Sequence, residues 1–236
     1  MAPAPVIRDF GGIPVEFQRK RVRYLRMTVH PDGSVRVSVP WHVSDNEAVG
    51  FVVARVPWMR SRVEAIRHTP RPAPCHFETN DKIEVFGETV RLRVVEAEGH
   101  AVPRLEEGEL VLPVRPGASE AERRVVFAVW MRARLAEKLS ALVAHWTAAM
   151  GEAPVHWDIR RMKSRWGSCT ARSRSLRFNL NLARVPERCI EYVVVHELAH
   201  LKVQNHSAAF WAHVQRFLPD WRTLRRELNR TSWPGT

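Results

Sequence analysis

Apolar residues alternate with polar ones through much of the first half of the chain and recur every three or four positions through most of the second half. Alternation is typical of strands with one buried face, and the longer interval is typical of one buried face of a helix. The clearest alternation covers residues 22–28 and 35–39, on either side of His30-Pro31-Asp32-Gly33, and predicts a β-hairpin. Further strands are predicted over residues 82–86, 89–95 and 110–114.

Two capping-box signatures, each a serine followed three residues later by a glutamate, mark helix starts at Ser44 and Ser119. The first predicts helical structure to about Arg67, divided into two helices near Pro57, because proline lacks the amide proton that continues a helix. The second predicts a long helix to about Met150. Its predicted core-facing residues are Val125, Val129, Leu135, Leu139, Leu142 and Trp146.

These elements predict an α+β fold. The turn at Pro116-Gly117 marks the main internal boundary. We expect one domain over residues 17–230, made of a β-rich N-terminal half, 17–116, and a helical core, 117–230. A loop is predicted over residues 69–75, where prolines cluster, and the 236 residues are enough to bury a substantial core.

The sequence His196-Glu197-Leu198-Ala199-His200 lies on a helix predicted over residues 186–203. Residues four apart share a helix face, so the two histidines of the motif can bind one metal ion while its glutamate accepts a proton from water. His206 follows after five further residues, and a turn at Gln204-Asn205 can bring it back as a third ligand. This HExxH-x5-H pattern predicts a hydrolase with one Zn²⁺ ion.

Two carboxylates are alternative third ligands. Asp220 lies twenty residues after His200, and Glu227 lies further on. Asp220 is explained more simply as the N-cap of a last helix over residues 221–229, so His206 is preferred.

The segment between the two long helices carries groups suited to a substrate. Apolar and polar residues alternate over 176–182, and residues 155–169 are the predicted partner strand, through a loop over 170–175. A strand edge beside the metal can bind an extended peptide, whereas lysine and arginine can bind phosphate oxygens. The candidate substrate-binding residues are Lys163, Arg165, Trp166, Arg177, Asn179 and Tyr192. Those considered for stabilising an oxyanion are Tyr192, Arg165, Asn179 and His213.

The charge of the chain points to anionic partners. Its 37 lysines and arginines exceed its 25 acidic residues by twelve, and clustered cations gain affinity for phosphates. A nucleotide or a nucleic acid is therefore a candidate partner, although charged residues usually face water.

Cysteine usage and the start of the chain predict where the protein is found. The three cysteines, Cys75, Cys169 and Cys189, are widely spaced and predict neither a disulfide framework nor a cysteine zinc site. The first residues lack the charged and apolar regions of a secretory signal, and no apolar run is long enough to cross a membrane. We therefore expect a cytoplasmic protein without a membrane partner.

Three ordered motifs carry a resemblance to a known family: Lys163 to Cys169, Tyr192 to Leu201, and Asn205-His206-Ser207 with Phe210-Trp211. Together they resemble the YgjP-like metallopeptidase family and, more distantly, the SprT-like proteases. The resemblance implies a bacterial cytoplasmic, zincin-like domain in which a metal-binding helix packs against a small sheet and further helices. It also implies zinc on the three histidines, with the glutamate as catalytic base.

The resemblance leaves the reaction open. Members are mostly assigned as peptidases, and pyrophosphate release from uridine nucleotides such as UTP has also been attributed to the family. A nucleic-acid-associated protease or binding protein is a further alternative, since it needs only the basic surface.

Overall fold

The computed structural model describes residues 5–30, 32–68, 75–99 and 101–230. Within these ranges the fold is α+β, as predicted, with six α-helices and three small sheets. The chain forms two compact units, Met1–Ala73 and Pro74–Thr236. The loop predicted over residues 69–75 lies outside the described residues except for Cys75.

The first unit is a four-stranded sheet with two helices. The predicted hairpin is confirmed, because the third and fourth strands pair antiparallel with Met27 opposite Val37. The capping box at Ser44 is also confirmed, and the helical segment is divided as predicted, with Pro57 in the first turn of the second helix. The elements are β1 (Val6–Asp9), β2 (Pro14–Arg19), β3 (Arg26–Val29), β4 (Val35–Val39), α1 (Asp45–Val53) and α2 (Val56–His68), with sheet order β1-β2-β4-β3.

The second unit begins with another four-stranded sheet. The predicted strands over 82–86 and 89–95 are confirmed as an antiparallel pair, and the strand over 110–114 lies beside them. This sheet shares one hydrophobic core with the helices that follow, for example through Leu110 and Leu139. The division between the units therefore falls earlier than Pro116-Gly117. The strands are β5 (Lys82–Val85), β6 (Glu88–Glu96), β7 (Arg104–Glu106) and β8 (Glu109–Val114), in the order β5-β6-β8-β7.

The long helix α3 (Glu120–Met150) begins at the capping box of Ser119 and ends at Gly151, whose φ of 71° is left-handed. Leu135 and Leu139 are fully buried, as predicted. The prediction that Val125 and Val129 face the core is wrong, because 61% and 64% of their surfaces are exposed. The buried positions advance mostly in steps of four residues, and each such step turns the buried stripe by about 40° around a helix of 3.6 residues per turn. Val125 and Val129 therefore lie on a side of α3 that faces away from the core at this end of the helix. The buried residues are Phe127, Trp130, Met131, Leu135, Leu139, Val143 and Met150.

The third sheet consists of β9 (His156–Arg160), β10 (Gly167–Thr170) and β11 (Ser175–Asn179), in the order β10-β11-β9. Of the predicted partner strand over 155–169, only the end pairs antiparallel with β11, whereas β9 pairs parallel on the other side. The predicted alternation over 176–182 also ends early, because residues 180–184 form a 3₁₀ helix. The Asn179 side chain accepts a hydrogen bond from the Asn181 amide and so turns the chain out of the strand.

Three helices complete the second unit: α4 (Glu187–Ala199), α5 (Ala208–Phe217) and α6 (Trp221–Arg230). The central helix α4 packs against α3, α5, α6 and β10. It ends earlier than the predicted Val203, and the Val203 amide donates to the Ala199 carbonyl as the chain turns away. No helix in the described ranges is both long and apolar enough to span a membrane.

Candidate metal and catalytic site

The three histidines of the sequence motif converge on one point. His196 lies in the last turn of α4, His200 is its C-cap, and His206 immediately precedes the N-cap of α5. The Nε2 atom of His206 lies 3.0 Å from Nε2 of His196 and 3.2 Å from Nε2 of His200. Imidazoles at about 2.05 Å from a tetrahedral ion would have nitrogens about 3.3 Å apart, so this donor set fits a metal ion such as zinc.

Hydrogen bonding and burial favour the ligand form of these imidazoles. Nδ1 of His200 lies 3.1 Å from the Val203 carbonyl, which only accepts, so Nδ1 carries the proton and Nε2 keeps its lone pair. The pKa of His196 is lowered to about 3, mainly by burial and to a lesser extent by the charges of His200 and His206. Burial also lowers the pKa of His200. Neutral imidazole is the form that binds a metal.

Aromatic rings hold the histidines in place. Phe210 stacks on His200 at 4.4 Å between ring centres, and Trp211 stacks on His206 at 5.5 Å. Trp211 in turn stacks on Trp221 at 4.1 Å, which joins α5 to α6. These contacts restrict the rotation of two of the candidate ligand side chains and surround them with apolar atoms.

Glu197 is the acidic residue beside the histidines. Only 5% of its surface is exposed. Burial raises the pKa of Glu197 to about 8, and the charge of Arg165 opposes this increase. A carboxyl group with a raised pKa can take up and release a proton near neutral pH, which is the property that a general base and acid requires.

Gly167 lies directly against Glu197. A Cβ atom at residue 167 would lie 2.5 Å from Oε1 and 2.9 Å from Cδ of the carboxylate. Only a residue without a side chain allows β10 to approach α4 so closely here. Gly167 lies in one of the family motifs of the sequence, but the motif alone does not indicate this contact.

An open cleft lies over the histidines and Glu197. Its walls come from the segment before β10 and β10 itself, from α4, and from the far end of α6. Of the predicted substrate-binding residues, Arg165, Trp166 and Tyr192 line the cleft. Three further residues, Cys169, Arg225 and Asn229, line the cleft without a role predicted from the sequence. Cys169 lies at the end of a family motif, whereas Arg225 and Asn229 belong to no motif and reach the cleft through the packing of α6.

The other predicted substrate-binding residues, Lys163, Arg177 and Asn179, do not line the cleft. Lys163 is exposed in the segment before Arg165. Arg177 is exposed on β11, with its Nε 3.7 Å from Oδ1 of Asp158.

Asn179 is fully buried and its amide group is occupied by the backbone. Its Nδ2 donates to the carbonyls of Met162 and Arg165, at 2.8 Å each, and its Oδ1 accepts from the Asn181 amide at 3.1 Å. These bonds hold the segment that carries Arg165 and leave no amide proton for a substrate.

The remaining candidates lie elsewhere. His213, on α5, contacts Phe217 through its ring and does not line the cleft. Glu227 accepts hydrogen bonds from Arg188, and Asp220 is an exposed residue whose carbonyl accepts from the first turn of α6. Within the described residues, neither carboxylate joins the group that could hold a metal ion, which consists of His196, His200 and His206.

Comparison of the sequence with known protein families identifies both the class and the family of this protein. A search of curated proteins finds no match. The family model described as YgjP-like, metallopeptidase domain, matches residues 23–231. The chain therefore belongs to the YgjP-like metallopeptidase family, as the sequence motifs predicted.

Two solved structures show a partial likeness to this chain. The metallopeptidase zymogen of Pyrococcus abyssi abylysin is 22% identical, covers 39% of this chain and 94% of its own, and has a TM-score of 0.36. The zymogen of Methanocaldococcus jannaschii jannalysin is 18% identical with the same coverage of both chains and the same TM-score.

Proposed function

We propose that the protein is a zinc-dependent metallopeptidase that acts through the HExxH-x5-H motif. The observation that carries this proposal is the convergence of three histidine Nε2 atoms beside a buried glutamate. His196, His200 and His206 would hold one Zn²⁺ ion, and Glu197 would be the catalytic base. Residues 17–230 would form the metallopeptidase domain, a proposal supported by the family match over 23–231.

The proposed reaction is hydrolysis of a peptide bond. When bound, zinc supplies Lewis-acid activation of water and of the scissile carbonyl. Glu197 accepts the proton of the attacking water and delivers it to the nitrogen of the leaving amine. The burial of Glu197 supports the second step, since it favours the protonated carboxyl group that holds the proton until the C–N bond breaks.

Two residues of the cleft are proposed to stabilise the negative charge that develops on the carbonyl oxygen. Burial raises the pKa of Tyr192 to about 12, so its hydroxyl stays protonated and can donate a hydrogen bond. The Tyr192 ring lies 5.8 Å from the ring of His196. Arg165 lines the same cleft and offers a charged donor.

The peptide is proposed to bind along β10. This strand lies at the edge of its sheet, in the order β10-β11-β9, and it lines the cleft through Gly167, Ser168 and Cys169. An edge strand offers backbone amides and carbonyls to an extended peptide. Trp166, which precedes the strand, is proposed to contact a substrate side chain.

We also propose that the protein is cytoplasmic. Cys75, Cys169 and Cys189 are all free thiols, which suits a reducing compartment.

The decisive experiment compares zinc-loaded wild-type protein with Glu197→Gln, after elemental analysis has shown equal zinc content. Both proteins are assayed on unfolded protein substrates, with and without DNA, and on UTP. We expect peptide cleavage by the wild type and a loss of about 10²–10⁴-fold in the variant, the usual contribution of general acid–base catalysis. Glu191→Gln is a matched control that should keep full activity. Glu191 lies on the same helix as Glu197, but its carboxylate accepts a hydrogen bond from the Trp146 indole.

The same experiment separates the alternatives. Glu197-dependent release of pyrophosphate without peptide cleavage would replace the peptidase assignment with a nucleotide pyrophosphatase. Stimulation of cleavage by DNA would support a nucleic-acid-associated protease. Binding of DNA without hydrolysis of either substrate would support a binding protein.

A further inference from the structure

The wall of the cleft formed by α6 carries a cation. Arg225 lines the cleft together with Leu228 and Asn229. Its guanidinium carbon lies 5.0 Å from the centre of the Trp211 ring, and Trp211 stacks on His206. Arg225 is therefore held next to the candidate metal site by the same aromatic ring that orients a histidine ligand.

Arg225 has no anionic partner in the part of the chain that the structure describes. Neighbouring arginines of α6 are engaged elsewhere, since Arg222 donates to Gln215 and Arg226 donates to Thr223. A guanidinium group has five donors in a planar fork that matches a carboxylate. The Arg225 fork lacks such a partner and lines an open cleft, so it is available to a ligand.

The charge of the cleft favours an anion. Arg165 is a second cation on the wall that precedes β10, and the lining contains one acidic residue, the buried Glu197. The two arginines act on different parts of the site. Arg165 lies in the segment before β10, whereas Arg225 contacts Trp211, the ring that stacks on His206. Arg225 is thus the cation on the side of the candidate metal ligands.

We propose that Arg225 binds a carboxylate of the peptide substrate and makes the protein selective for such substrates. This inference rests on the proposed peptidase function. A peptide has two sources of carboxylate, the side chains of aspartate and glutamate and the free C-terminus. Either source brings an anion to the α6 wall while the main chain of the peptide follows β10.

The test uses a peptide that the wild-type protein cleaves, with glutamate or glutamine at each position flanking the scissile bond, and with a free or an amidated C-terminus. We expect kcat/KM for the carboxylate-bearing peptide to exceed that of its neutral counterpart by at least about tenfold, as for a charge-assisted hydrogen bond. In Arg225→Gln this ratio should approach one. Arg225→Lys should retain part of it.

A matched control separates local from general charge effects. Arg226→Gln removes the same charge from the adjacent position of α6, outside the cleft, and should keep the wild-type ratio. Binding of fluorescently labelled peptides to the Glu197→Gln protein gives a second readout that does not need turnover. Circular dichroism and zinc content check that each variant is folded.

The outcomes separate this inference from the proposed function. Loss of the preference on amidation assigns the carboxylate to the C-terminus, and retention assigns it to a side chain; both results support the role of Arg225. Equal cleavage of charged and neutral peptides, or an unchanged ratio in Arg225→Gln, overturns it while the metallopeptidase stands. Absence of peptide cleavage, with equal binding of charged and neutral peptides, overturns both.

Discussion

Gly167 and Glu197 are in direct contact: a Cβ atom at residue 167 would lie 2.5 Å from Oε1 and 2.7 Å from Cγ of Glu197. The contact joins β10 to α4 beside the three histidines. It places the proposed peptide-binding strand and the proposed catalytic base at a fixed separation. The position of the base thus depends on a residue that has no side chain.

Gly167→Ala should therefore displace the Glu197 carboxylate while leaving the three proposed metal ligands in place. A misplacement of about 1 Å at a catalytic group can cost on the order of 10²-fold in rate, and we expect a loss of that size in kcat/KM. The measurement is peptide turnover by the variant at equal zinc content.

Gly50→Ala is the control for this substitution. Gly50 lies in α1, nothing within 4 Å would meet its Cβ, and alanine favours a helix more than glycine does. It should keep full activity. Full activity in Gly167→Ala as well would contradict the expectation, because it would mean that Glu197 can shift without loss of catalytic rate.

His206→Ala should weaken zinc binding more than about 100-fold. Even loss of a partner that only orients a ligand costs about 10–100-fold in affinity. His206 is itself a proposed ligand, and its Nε2 atom lies within 3.2 Å of the Nε2 atoms of both other histidines. Competition with a chromophoric chelator measures the change. His213→Ala is the matched control, because this histidine of α5 lies outside the metal-ligating group, and it should bind zinc as the wild type does.

The parts of the site that sequence predicted are local. His196, Glu197, His200 and His206 lie within eleven residues, so helix geometry and one turn are enough to bring them together. The same holds for the capping box at Ser119, which needs only the first turn of α3.

The parts that sequence missed depend on contacts between distant segments. Gly167 meets Glu197 across thirty residues, and Arg225 reaches the cleft only because Trp221 stacks on Trp211 and brings α6 against α5. Asn179 was assigned to the substrate because of its polarity, but its amide group holds the backbone around Met162. A sequence pattern does not reveal which polar groups the fold itself will use.

Leu139→Ala should destabilise the second unit by about 2–5 kcal/mol, the range for a large-to-small change in a packed core. Leu139 is fully buried in α3, where it belongs to the core that includes the α4 helix. Val129→Ala, on the exposed side of the same helix, should change the free energy of unfolding by less than about 0.5 kcal/mol. Urea denaturation followed by circular dichroism measures both. Equal effects would contradict the observed drift of the buried stripe along α3.

The capping box of α3 should make stability depend on pH. Hydrogen bonds from the backbone amide and hydroxyl of Ser119, with a further bond from Arg115, lower the pKa of Glu122 to about 2 from its ordinary value of 4.5. Because the folded-state pKa is the lower one, ionised Glu122 stabilises the fold above about pH 4.5, and this contribution is lost as the pH falls toward 2. We therefore expect Glu122→Gln to lower the free energy of unfolding more at pH 6 than at pH 3. In a Ser119→Ala background, which lacks the hydrogen bond from the Ser119 hydroxyl to the Glu122 carboxylate, the dependence on pH should be smaller. Urea denaturation at both pH values measures these differences, and an equal effect of Glu122→Gln at the two values would contradict the expectation.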